Sequence, residues 1–262
     1  MPLQHNKVSF FFFLLIVLIV APILTHAQEH PIQQIYEKAV DAYNTQHFDD
    51  SIELYNQLIT LAPNFAPAYN GLGLAFKARD DDYDEAIKYF LLAIKYDPNF
   101  IQGYENIGRM YYATGNYDKA LEYFEKALKI DPNSTTSLIN LGWIYLLAKA
   151  NPPRAIKFFA KANDLSPNPN VYFALGMAYF SNNERIKAIE VVTNLRNSHE
   201  EDLALKLERA MRESRQVNLD PVTVKKNTNN NLQQPNNNSS STNASNTDNN
   251  IKVRLKGKLE DI

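Results

Sequence analysis

From Ile32 onward, apolar residues return every three or four positions, the spacing of one face of an α-helix. In residues 101–134, Tyr104, Ile107, Gly108 and Tyr111 stand at i, i+3, i+4 and i+7. Gly115-Asn116 interrupts this stripe, and a second one runs through Tyr117, Ala120, Leu121, Phe124, Ala127 and Leu128. It stops at Asp131-Pro132-Asn133, because proline lacks an amide hydrogen and disfavours helix at the residue before it. The pattern predicts two antiparallel helices joined by a tight turn.

The same punctuation recurs along the chain. Gly73, Ala86 and Pro98 are followed by Gly108, Ala120 and Pro132, and then by Gly142, Ala155 and Pro167. The glycines are 35 and 34 residues apart, with Gly176 a further 34 on, and the prolines step from Pro63 by 35, 34 and 35. A fixed period of this length marks units that cannot bury their own apolar faces and stack on their neighbours.

Tyr104, Ile107, Gly108, Tyr111, Ala120, Phe124, Ala127 and Pro132 fall at positions 4, 7, 8, 11, 20, 24, 27 and 32 of a 34-residue unit. That arrangement resembles the tetratricopeptide repeat, in which small residues let the two helices approach closely. Units lying within residues 64–100 and 135–168 fit with one extra residue each, expected in the turn inside the unit. The first unit, residues 32–65, has Ala39 for the glycine and Ser51 for the alanine, and the last, from Pro169, has Val192 for the aromatic. The resemblance implies five repeats over residues 32–199, the first and last degenerate, with a capping helix at 200–215. The expected fold is all-α, a right-handed α-α superhelix of tetratricopeptide helix pairs.

Two end segments differ from this middle. Lys7, an apolar run from Phe10 to Val20, Pro22 and then Thr25-His26-Ala27 follow the order of a secretory signal peptide, with cleavage expected after Ala27. The alternative is an uncleaved anchor at residues 8–24 with the repeats outside the cytosol. Export to a periplasmic, extracellular or lumenal space is therefore expected, with membrane contact only if that segment is retained. Residues 216–262 are rich in asparagine and serine, a composition expected to be disordered. Within them Ile251 to Lys256 alternates apolar and basic residues.

Charge and chemistry narrow the function. A net charge of -2 gives no global attraction for nucleic acid, and the chain has no cysteine. The five histidines fit no metal-ligand spacing, and no phosphate loop or nucleophile elbow occurs, so no catalytic residue, cofactor or metal is assigned. Asp82 is read as the cap of a helix beginning at Tyr83, with Glu85 completing a capping box.

The resemblance also places a groove, lined by positions 2, 5, 9 and 12 of each first helix and by a frequent asparagine at position 6. On this chain it implies Asn70, Lys77, Asn106, Arg109, Tyr112, Ile139, Asn140, Trp143, Leu146, Phe173, Met177 and Phe180. The later residues form a second apolar stripe, centred on Trp143; at this helical spacing Trp143, Phe173 and Met177 read either as core or as a surface suited to anchoring a partner. The basic clamp that one subfamily uses on acidic chaperone tails is missing, since Leu74 and Thr136 occupy two of its positions. The expectation is a non-enzymatic adaptor for another protein or peptide segment. The alternatives are an assembly factor of an envelope or secretion complex, and autoinhibition by the chain's own C-terminal tail.

Overall fold

The computed structural model describes residues 31–217, so the leader expected at 1–27 and the tail from Asn218 lie outside the described residues. Among the described residues every regular element is a helix. They are α1 (31–44), α2 (Phe48–Leu61), α3 (Ala66–Asp80), α4 (Tyr83–Tyr96), α5 (Ile101–Ala113) and α6 (Tyr117–Ile130). After these come α7 (Thr135–Trp143), α8 (Pro152–Leu165), α9 (Pro169–Ser181), α10 (Arg185–Asn197) and α11 (Glu201–Val217). The chain divides into two compact units, one ending at Tyr123 and one beginning at Phe124.

In the first unit α2 packs on α3, α3 on α4 and α4 on α5. The small residues of the period sit where helices approach: a Cβ on Gly73 would stand 2.5 Å from the Phe90 ring, and one on Gly71 would stand 2.2 Å from the Tyr55 ring. Phe90 is wholly buried beside Ala86, Ile87, Ile107 and Met110. The degenerate first unit has its own solution. Ser51, at the usual alanine position, is fully buried and donates its hydroxyl to the carbonyl of Ala39 at 2.9 Å. A buried hydroxyl with a partner is tolerated where an unpartnered one is not.

The prolines do more than end helices. Tyr69 donates to the Pro63 carbonyl at 2.7 Å, and Tyr104 donates to the Pro98 carbonyl at 3.1 Å. Tyr69 also stacks on Tyr96 at 4.9 Å, and burial pushes its phenol up to about 12.

In the second unit α7 packs on α8, α8 on α9, α9 on α10, and α11 on both α9 and α10. Gly142 repeats the arrangement of Gly73: its Cβ would stand 2.5 Å from the fully buried Phe159 ring. Gly176 is approached by Leu207 of α11, which a Cβ would meet at 2.6 Å. Leu203, Ala204 and Leu207 are buried on α11.

The turns repeat too. Left-handed residues occur at Gln46, Asp81, Gly115, Ala150 and Asn183, spaced by 35, 34, 35 and 33 residues. Gly115, at φ 77°, is the glycine among them, and Asp81 and Asn183 are of types that also adopt this backbone. Asp82 caps α4 by accepting from the Glu85 amide at 3.0 Å. The Glu85 carboxylate, expected to close a capping box, is engaged by Lys88 at 2.9 Å instead. Asn151 caps α8 by accepting from the Arg154 amide at 3.2 Å, with Pro152 at the first helical position, where its missing amide costs nothing.

The extra residue of 135–168, expected in the turn, is accommodated in the helix. After Trp143 the backbone runs on as a π-helical segment, Ile144–Ala148, in which the Lys149 amide reaches back five residues to the Ile144 carbonyl at 3.0 Å.

Candidate functional site

Of the residues implied for the groove, five lie in the first unit and seven in the second. In the first unit α3 carries Asn70 and Lys77, and α5 carries Asn106, Arg109 and Tyr112. Asn106 is 2% exposed, and its amide donates to Asn70 Oδ1 at 2.7 Å. Its own Oδ1 accepts from the Arg109 guanidinium. The three side chains form a relay from exposed Arg109 through a buried amide to half-buried Asn70.

This relay fixes what each group can offer. Asn106 turns its carbonyl and one N–H inward, so it positions its neighbours. Asn70 accepts at Oδ1, and its own N–H donors are not used among the described residues. Arg109 has five N–H donors and uses one of them on Asn106. Lys77 makes an exposed pair with Asp81 at 3.5 Å, a weak contact that a ligand can displace. Tyr112 is half-buried with its ring edge-on to Tyr117 at 5.6 Å. The face is polar, rich in donors and carries two cations.

In the second unit Ile139, Asn140 and Trp143 lie half-buried on α7. Asn140 donates to the Thr136 carbonyl of its own helix at 2.8 Å. The Trp143 ring stands edge-on to Phe159, 5.2 Å between centroids at 73°, which fixes its orientation while leaving part of it in solvent.

The rest of the expected apolar stripe is not surface. Phe173 is 6% exposed, Met177 2% and Leu146 4%. On α9, buried positions run from Val171 and Phe173 through Ala178, all round the helix, because α8, α10 and α11 each pack against it. A helix apolar on every side is a buried helix, and the second stripe on α9 is part of that buried surface. Leu146 is turned inward by the π-helical segment, whose wider turn breaks the three-residue spacing from Trp143. Of the α9 residues implied for the groove, only Phe180 stays half-buried.

Sequence reasoning missed a hollow beside it. Phe180, Arg185, Ile189, Val192, Glu208, Met211 and Arg212 line a recess between α9, α10 and α11. The signal was present in Ile189, an apolar residue of α10 that is 55% exposed. No group of histidine, aspartate or glutamate suited to a metal ion occurs among the described residues. No described helix is long and apolar enough to cross a membrane.

Residues 101–134 match a family model of the tetratricopeptide repeat, and residues 36–100 match a second model of the same repeat. No curated protein matches the chain in sequence. Among solved structures, the chain is similar to YrrB, described as a TPR protein with an unusual peptide-binding site. The identity is 19%, the TM-score 0.55, and the match covers 70% of this chain and 98% of that one. It is also similar to PilF of Pseudomonas aeruginosa, at 15% identity and a TM-score of 0.58, covering 72% of this chain and 93% of that one. A third, a thermophilic TPR protein of Thermus thermophilus, has 18% identity and a TM-score of 0.52, covering 68% of this chain and 97% of that one. At these identities the likeness concerns the fold. By these two models residues 36–134 carry tetratricopeptide repeats, and helix pairs of the same kind continue through the rest of the described residues.

Proposed function

We propose that this protein is an exported, non-enzymatic scaffold that holds a segment of another protein on the exposed faces of its first helices. The observation that carries the proposal is the set of side chains the core does not use. Asn70 and Arg109 keep hydrogen-bond donors available, and Trp143 with Ile139 keeps part of an apolar surface in water. Amide and guanidinium donors suit the backbone carbonyls and polar side chains of an extended segment. A half-exposed tryptophan whose orientation is fixed by packing loses little entropy when it anchors a ligand.

The test is made on whatever protein the chain captures in its own compartment. Trp143→Ala is expected to weaken that complex at least tenfold, about 1.4 kcal/mol or more. Asn70→Ala is expected to weaken it less while leaving Asn106 buried. Binding unchanged by both substitutions would sink the assignment. Phe173→Ala is not a test of the face, since that side chain is buried.

Export rests on the leader order at residues 1–27. The protein isolated from its host should begin at Gln28. A native N-terminus that retains residues 8–24 would favour the anchored form.

A further inference from the structure

The hollow between α9, α10 and α11 has the chemistry of a binding site that the repeat itself does not need. Its apolar part is Phe180, Ile189, Val192 and Met211, and its charged part is Arg185 and Arg212 against Glu208. The Glu208 carboxylate is already engaged, by Arg196 at 3.0 Å and Arg212 at 3.4 Å. Arg185 has no ion pair among the described residues. Two arginines against one occupied carboxylate, over apolar residues that include the 55%-exposed Ile189, select a ligand both apolar and anionic.

We propose that the occupant is the chain's own Leu259-Glu260-Asp261-Ile262. Leu259 and Ile262 would cover the apolar part, and Glu260 and Asp261 would face Arg185 and Arg212. Charge separates this segment from the others after Val217. Residues 251–258 contain Lys252, Arg254, Lys256 and Lys258 and would set like charges against the arginines. Leu219-Asp220 offers a single acid directly after the helix end.

Position also favours it. The chain leaves α11 at Val217, five residues beyond Arg212, or about 7.5 Å of helix rise. The intervening residues, 218–258, can span more than about 100 Å when extended, so reach is not limiting. Tethering turns docking into an intramolecular event at an effective concentration that can reach the millimolar range, where weak contacts suffice.

Hydrogen exchange on the full-length chain tests this. Ending the chain at Lys258 should make amides of residues 186–193 and 205–213 exchange faster. Arg185→Glu should do the same by about twofold to fivefold, the size of an exposed ion pair. Arg185 is the first residue of α10, where a glutamate suits the helix dipole, so faster exchange there would not come from a weakened helix. Combining Arg185→Glu with Asp261→Arg should restore the slow exchange. Equal exchange in the full and shortened chains would overturn the proposal, as would failure of the charge swap to restore protection. Protection that appears only as protein concentration rises would assign the hollow to a second copy and overturn it too.

Discussion

Gly142→Ala should destabilise the second unit by about 1–3 kcal/mol, the range for overpacking a core. Elsewhere in a helix the same change is stabilising, by about 1 kcal/mol of propensity. The sign reverses here because the new Cβ would stand 2.5 Å from Phe159, a ring that is fully buried and braced by Trp143. Neither the ring nor the backbone can withdraw cheaply. If the clash is the cause, shrinking the ring removes it: in a Phe159→Leu background the alanine should cost little, and the two substitutions should couple by at least about 0.5 kcal/mol. Urea-unfolding midpoints of the four proteins measure both quantities. A neutral or stabilised Gly142→Ala would show that the two helices are not held at the described distance.

Leu207→Ala should cost about 2–5 kcal/mol, the range for emptying a fully buried leucine site. Leu207 lies against Gly176 of α9, so its loss loosens α11 from α9. Phe173 and Met177 lie on that helix, and the variant should expose apolar surface and bind a hydrophobic dye before it unfolds. A loss below about 1 kcal/mol, with no dye binding, would mean that α11 rests on the unit without sealing it. The two substitutions act on opposite ends of the second unit, one inside a helix pair and one at its terminal cover.

Helix pairing was legible because its determinants are local in sequence. Gly73, Gly142 and Gly176 stand where a neighbouring side chain leaves no room for a Cβ, and small residues at a fixed period are visible without a structure. The prolines at 63 and 98 were legible as helix ends but not as acceptors for Tyr69 and Tyr104, since that bond depends on the path of the turn. Four of the five repeating left-handed turn positions hold Gln46, Asp81, Ala150 and Asn183. No glycine marked them, and only the geometry shows that they are equivalent.

The binding faces were less legible, for two physical reasons. A position rule assumes an unbroken helix, and the π-helical segment at Ile144–Ala148 turned Leu146 inward. An apolar stripe looks the same whether a ligand or another helix covers it, and α9 is packed by α8, α10 and α11. The polar relay of Arg109, Asn106 and Asn70 depends on a contact across 36 residues, which no spacing within one unit announces.

Trp143 is the sole tryptophan of the chain, so its fluorescence reports directly on the face assigned to the partner. Titrated with a tryptophan-free segment of the captured partner, the emission should shift to shorter wavelength and saturate with the binding curve, as the exposed part of the indole leaves water. A saturating complex, detected by another method, in which the emission does not change would contradict the account.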